Sequence, residues 1–142
     1  MRVLLDTNIV LDLLLDREGF AEDAASIWEA HRRGEIEAFV APITPINVFF
    51  IARKLKGADQ ARQYVSKILE TLSVSLLDQQ TLLAAEILPF TDYEDAVQAA
   101  CALFGNLDAI VTRDLKDFRN SPLTVFSPSE FIIHLNTSPA ND

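Results

Sequence analysis

Three short apolar runs, Val3-Leu4-Leu5, Ala38-Phe39-Val40-Ala41 and Val74-Ser75-Leu76-Leu77, are each followed by a stretch whose apolar positions recur at helical spacing. A short apolar run bounded by polar or turn residues suits a strand buried on both faces, whereas recurrence at i, i+3 and i+4 suits a helix with one buried stripe. The first run ends at Asp6-Thr7-Asn8, and Ile9, Leu11, Leu13 and Leu14 then resume in the denser pattern of a buried helix. Residues 21–33 place Ala24, Ile27, Trp28 and His31 on one helical face, with Gly34 where a C-terminal stop belongs, so Trp28 is expected in the core. A helix carrying Ile46, Phe49 and Phe50 follows the second strand, with Pro45 tolerated in its first turn. Residues 61–72 predict a further helix, and residues 78–88 another that Pro89 interrupts.

In the second half, Asp92-Tyr93-Glu94-Asp95 opens an Ala-rich, almost wholly apolar helix to Phe104, expected to lie buried against the sheet. Gly105-Asn106 stop it, Ala109-Ile110-Val111-Thr112 and Leu123-Thr124-Val125-Phe126 predict the fourth and fifth strands, and Ser127-Pro128-Ser129-Glu130 resembles a capped helix start. Residues 1–135 read as one domain without repeats or linkers, and residues 136–142 as a frayed, flexible tail. Strands alternating with helices on this scale predict an α/β fold with a mostly parallel sheet of four to five strands, covered on both faces. Such folds carry their sites at the loops beyond the C-terminal ends of the strands.

Composition narrows the chemistry. A chain of 142 residues with 49% hydrophobic and 23% charged residues builds one core and lies far from the disordered regime. No apolar run approaches the ~18 residues of a membrane span, and the N-terminus enters a strand pattern at once, so a soluble, cytoplasmic protein is expected. The single cysteine, Cys101, sits in an apolar run and reads as a small buried hydrophobe; with only His31 and His134 far apart, zinc spacing is absent. A net charge of −9 argues against loose adhesion to nucleic acid, which depends on Lys and Arg neutralising phosphates. Any such contact must be local, and Arg53, Lys54, Lys56, Arg62 and Lys67, opposed within their stretch only by Asp59, supply a local excess. Arg113, Lys116 and Arg119 are a second basic set, beside candidate site acids; both sets also read as ordinary solvated charges.

The acids carry the candidate chemistry. Asp6 closes the first strand, Asp95 opens the Ala-rich helix, and Asp114 and Asp117 follow the fourth strand, so all four fall at loops expected on one sheet edge. Crowded carboxylates repel unless a cation neutralises them. Mg²⁺ takes oxygen ligands and keeps several waters, so two or three Asp residues suffice while a substrate phosphate completes the shell. Phosphodiester hydrolysis is the reaction such a site performs. Each acid also has a structural reading: Asp6 as a helix N-cap, Asp92 as N-cap with Asp95 closing a capping box, and Asp114 and Asp117 as partners of Arg113 and Lys116 in a surface turn.

Leu4-Leu5-Asp6-Thr7-Asn8, Glu94-Asp95-Ala96-Val97-Gln98-Ala99-Ala100, and Ile110-Val111-Thr112-Arg113-Asp114 with Asp117-Phe118 together resemble, in order and spacing, the PIN-domain family. Pro128-Ser129-Glu130-Phe131 extends the likeness over nearly the whole chain, which looks similar to the bacterial branch of VapC-like toxins from toxin–antitoxin pairs. The resemblance implies a three-layer α/β/α sandwich and an Mg²⁺- or Mn²⁺-dependent endoribonuclease acting on single-stranded or structured RNA. It matches Asp6, Asp95 and Asp114 to metal positions, with Asp117 assisting, and implies a homodimer silenced by a small antitoxin. One departure stands out: family members commonly carry a Glu on the helix after the second strand, and this chain offers Asn47 there. An amide contributes no negative charge, which weakens Mg²⁺ binding unless Glu94 compensates. Arg53, Lys54, Arg113 and Lys116 are the candidate RNA contacts.

Two other classes remain open at this level. A PIN-like module that binds RNA or protein without cleaving is motivated by Asn47. A phosphoryl-transfer hydrolase with Asp6 as nucleophile has Asn8 where the haloacid-dehalogenase pattern wants a second Asp.

Overall fold

The structure, a computed structural model, describes residues 1–137. Its centre is a five-stranded sheet: β1 (Arg2–Leu5), β2 (Glu37–Val40), β3 (Ser73–Val74), β4 (Ala109–Val111) and β5 (Thr124–Phe126). The strands lie in the order β3-β2-β1-β4-β5, and every neighbouring pair is parallel. The α/β expectation and the parallel sheet therefore hold. Along β1 alternate side chains enter opposite layers, because successive residues of a strand point to opposite faces. Val3 and Leu5 join Ala38, Val40, Ala109 and Val111 in one core cluster, whereas Leu4 joins Phe39 and Ile110 in another.

Helices cover both faces, giving three layers. The first face is packed by α1 (Thr7–Leu14), α2 (Ala21–Arg32), α3 (Ile43–Lys56), α4 (Ala58–Thr71) and α7 (Pro128–Thr137), which contribute Ile9, Ile27, Trp28, Val48, Ile68 and Phe131. The second is packed chiefly by α6 (Tyr93–Phe104), with α5 (Gln79–Ile87) against it. Residues 96–102 of α6 are all buried, as its Ala-rich sequence predicts; small side chains let a helix approach a sheet closely. Cys101 lies among them. Among the described residues no helix is long and apolar enough to cross a membrane.

Three boundaries differ from the sequence reading. The third strand, expected through Leu77, pairs only at Ser73 and Val74, because its neighbour β2 ends at Val40. Ser75 N–H makes the last rung to Val40 O, and Leu76 turns out to solvent with 88% exposure. Helix α4 starts at Ala58 rather than Ala61, immediately after Gly57, whose φ of 88° makes the reversal from α3 that an L side chain would resist. Helix α7 runs to Thr137, taking in the first two residues of the segment read as a tail; the rest of that segment, residues 138–142, lies outside the described residues.

The strand order creates the site's location. The chain steps outward from β1 to β2 to β3 and then returns to place β4 on the other side of β1. Between β1 and β4 the flanking connections diverge, which opens a crevice at the C-terminal strand ends. Leu5 pairs with Val111, so Asp6 emerges beside Thr112 at that crevice.

Candidate metal centre

Asp6 occupies the N-cap position of α1, yet its side chain makes no capping hydrogen bond. Its backbone N–H instead continues the sheet to Val111 O (3.0 Å), and both carboxylate oxygens turn inward. Gln98 Nε2 donates to Oδ1 (3.1 Å) and Thr112 Oγ1 donates to Oδ2 (2.8 Å). The Thr112 hydroxyl also accepts from Asp114 N–H (3.0 Å), so one threonine fixes two acids. Asp6 is only 4% exposed, and Gln98 and Thr112 are fully buried. The capping reading of Asp6 thus gives way to a carboxylate clamped from two sides.

Asp92 does behave as a cap, accepting from Asp95 N–H (3.0 Å) at the start of α6. That leaves Glu94, Asp95 and Gln98 to face the crevice, since positions three and four apart share a helix face. Glu94 accepts from Asn47 Nδ2 (2.8 Å) on α3 and, at 3.5 Å, from Thr7 Oγ1, whose hydroxyl also meets that of Thr44 (2.9 Å). Asn47 and Glu94, from helices on opposite faces of the sheet, therefore form one hydrogen-bonded pair at the crevice rim.

The electrostatics are those of an uncompensated acid cluster. Burial raises the Asp6 carboxyl above its ordinary range against the pull of Thr112 and Gln98, and Asp114 pushes it the same way. Burial also raises Glu94, with the Asn47 hydrogen bond opposing it and Asp6 and Asp92 adding to the rise. Asp95 is pushed up to about 7 by burial and by the charges of Asp6, Asp92, Asp117 and Glu94. Asp114 and Asp117 sit exposed in the turn after β4, where Asp114 acts on Asp6 and Asp117 on Asp95.

A proton on Asp95 and a divalent ion compete for the same charge, which gives a measurable linkage. The folded value near 7 stands above the unfolded one of 3.8. The folded protein therefore holds a proton that the unfolded chain releases between about pH 4 and 7. With EDTA present, the thermal midpoint is expected to fall as pH rises through that window, and Mg²⁺ is expected to raise it more at pH 8 than at pH 5.5. A thermal-shift series at several pH values, with and without Mg²⁺, checks this; equal Mg²⁺ shifts at both pH values would remove Asp95 from the account.

The donor set fits a hard cation only in part. Among the described residues no three His, Cys, Asp or Glu are gathered into a ready-made cage. An ion held by one or two carboxylates that keeps its waters needs no such cage, and the available ligands here are all oxygens. Beside Asp6, the buried Gln98 Oε1 has no hydrogen-bond partner among the described residues, which leaves one inward-facing acceptor open to a water.

The candidate RNA contacts divide. Arg53 and Lys54 lie exposed in the last turns of α3, roughly 10 Å along the axis from Asn47 at 1.5 Å per residue. Arg53 stacks beside Phe49 and Phe50 at 5.9 and 5.4 Å from the ring centroids. Lys116 is exposed in the turn after β4. Arg113 differs: its Nε and NH2 donate to Asp12 (2.8 and 3.0 Å), a buried acid of α1, rather than facing solvent.

Sequence reasoning assigned no role in the site to Thr7, Asp12, Thr44, Gln98 or Thr112. Asp12 inside Ile9-Val10-Leu11-Asp12-Leu13-Leu14 and Gln98 inside Ala96-Val97-Gln98-Ala99-Ala100 are each a polar residue interrupting an apolar run. A buried polar side chain requires a partner, and that was the signal available.

No curated protein matches the chain in sequence. Solved structures match it in shape: VapBC2 from Rickettsia felis bound to a fragment of promoter DNA (17% identity, TM-score 0.72, covering 89% of this chain and 98% of that one). A toxin–antitoxin complex from Klebsiella pneumoniae is 25% identical (TM-score 0.66, 89% and 97%), and VapC20 from Mycobacterium tuberculosis, a sarcin-ricin loop cleaving toxin, is 12% identical (TM-score 0.69, 86% and 96%). The family model for the PIN domain matches residues 2–116, which take in the acids after β1, at the start of α6 and after β4. With that match over most of its length and the shared parallel sheet, the chain belongs to the PIN-domain family.

Proposed function

We propose that the chain is an Mg²⁺- or Mn²⁺-dependent endoribonuclease of the cytoplasm and the toxin of a toxin–antitoxin pair. The observation that carries this reading is the crowding of Asp6, Glu94, Asp95 and Asp114 at the crevice between β1 and β4, where burial and then neighbouring carboxylates raise Asp6, Glu94 and Asp95. When bound there, a divalent ion supplies Lewis acidity toward a phosphate oxygen and lowers the pKa of an attacking water. Gln98 and Thr112 hold the Asp6 carboxylate in place, one donor on each oxygen. Asp95 accepts a proton readily near neutral pH, which suits it to general-base work if it is not engaged as a ligand. Arg53, Lys54 and Lys116 hold phosphates flanking the reacting one without reading bases.

RNA as substrate and an antitoxin as partner are supported by the relatives, one of which is a toxin cleaving the sarcin-ricin loop and another a toxin–antitoxin complex. Exposed Ile46, Phe50 and Leu69, around a groove of about 530 Å³ between α3 and α4, provide an apolar surface of the kind that an antitoxin or a second copy covers.

The test is incubation of purified protein with a mixed single-stranded RNA pool and Mg²⁺, Mn²⁺ or EDTA. Cleavage with either ion and none in EDTA is expected. RNA binding without turnover under every condition would replace the nuclease with the binding-module reading that Asn47 motivates. The aspartyl-phosphate reading fares worse, because Asn8 stands where that chemistry wants a second Asp as acid–base.

The departure at Asn47 has its own prediction. The Asn47–Glu94 hydrogen bond supports Glu94 as the acid that makes up the missing charge. Glu94→Gln is expected to weaken Mg²⁺ binding roughly 10-fold or more, the usual penalty for losing a group that supports a metal site. Asn47→Glu is expected to tighten it. Calorimetric titration reads both, and unchanged affinity in the two variants would take these positions out of the site.

A further inference from the structure

Asp12 is the one acid in the apolar face of α1, and it is 1% exposed. A carboxylate so placed is tolerated only when a cation and hydrogen bonds replace its water. Arg113 does so in a bidentate fork, Nε to Oδ2 and NH2 to Oδ1, and Arg17 NH1 adds a contact to Oδ1 at 3.3 Å while also reaching Asn8 Oδ1 (3.4 Å). The Arg113 guanidinium lies over the Phe20 ring at 3.8 Å, which closes its open face.

The position of Arg113 makes this pairing consequential. It follows Thr112, whose hydroxyl holds both Asp6 and the Asp114 backbone, and precedes Asp114 itself. Arg113 adjoins Asp114 in the turn after β4, so a guanidinium released from Asp12 has an acid of the cluster beside it, with Asp23 the other acid lining its groove. Yet the charged groups acting most on Asp6, Glu94 and Asp95 are other carboxylates. The cluster keeps its negative field although an arginine adjoins it in sequence.

We propose that Asp12 is a positioning residue for the acid cluster: by clamping Arg113 against α1 and Phe20, it keeps the guanidinium from neutralising the carboxylates that a divalent cation would use. This rests on reading the cluster as a cation site. It assigns Arg113 to the framework of the site and removes it from the phosphate contacts.

The experiment compares three proteins by calorimetric titration with Mg²⁺ and Mn²⁺: the native chain, Asp12→Asn, and Asp12→Asn with Arg113→Gln. Asparagine preserves the shape of Asp12 but loses the charge that holds Arg113. The single variant is expected to bind about 10-fold more weakly, on the scale of lost outer-shell support. The double variant is expected to recover to within about 3-fold of native, since the competing cation is gone. Equal or greater loss in the double variant would mean that the pair acts only by packing, and would overturn the proposal.

A metal-free arm separates this from the cation reading itself. In EDTA, Arg113→Gln and Asp114→Asn are expected to shift Tm additively in the native background and non-additively in the Asp12→Asn background, where Arg113 is free to pair with the cluster. Additivity in both backgrounds overturns the clamp. Absence of Mg²⁺ and Mn²⁺ binding by the native chain would overturn the cation reading, leaving the clamp to be decided by this arm.

Discussion

Asp6→Asn is expected to lower metal-dependent RNA cleavage at least about 100-fold while raising the thermal stability of the metal-free protein at pH 8. The activity loss follows from removing a charged oxygen ligand from a site where cation stabilisation of the transition state is worth several kcal/mol, at about 1.4 kcal/mol per tenfold in rate. The stability gain has the opposite cause. Burial raises the Asp6 carboxyl above its unfolded value, so the folded state disfavours the ionised form, and that cost grows as pH rises through the shifted range. Asparagine carries no charge to desolvate. Its Oδ1 still accepts from Gln98 Nε2, and its amide faces the Thr112 hydroxyl, which has lone pairs to receive it. RNA cleavage assays and thermal unfolding in EDTA at pH 8 and pH 5 measure the two effects. A variant that is both inactive and less stable at pH 8 would mean that Asp6 is mainly a structural residue.

Phe118→Ala is expected to destabilise the protein by about 3–5 kcal/mol, the range for truncating a fully buried aromatic. Phe118 lies outside every helix and strand, in the turn that carries Asp114 and Asp117, yet it is 1% exposed. It packs with Leu4, Phe39, Ala99, Ala102 and Ile110 under the sheet and meets Phe90 edge-on at 5.5 Å between ring centroids. The ring is thus the anchor that draws the turn after β4 back onto the core, with Asp117 one residue before it. Chemical denaturation of the variant measures the loss, with the midpoint expected to fall at little change in slope. Because the anchor also sets the turn's position, Mg²⁺ affinity is expected to weaken even at temperatures where the variant is fully folded. A change below about 1 kcal/mol would show that the turn holds its place without the ring.

The order of elements, the parallel sheet and its two-sided burial were legible in the sequence because they depend on local periodicity. Val3, Leu4 and Leu5 announce a strand buried on both faces, and Ala96 to Ala102 a helix with little to show to solvent. The cap at Asp92 was legible for the same reason: it spans three residues and obeys helix-end geometry. Asp6, Asp95 and Asp114 could be placed at strand and helix ends, and their motif order pointed to the family that the whole-chain match then showed.

The division of labour among those polar residues was a different matter. A carboxylate at a helix entrance caps or points away according to what lies across the fold, and for Asp6 that is Gln98 and Thr112, 92 and 106 residues distant. Asn47 became the partner of Glu94 across 47 residues, and Arg113 the partner of Asp12 across 101. Periodicity says which face of an element is buried, but only the assembled sheet brings these polar groups together, and burial then obliges each to take whichever partner lies within reach. The sequence by itself determined the scaffold and the stock of acids; the tertiary structure decided which acids stay uncompensated and which arginine is held away from them.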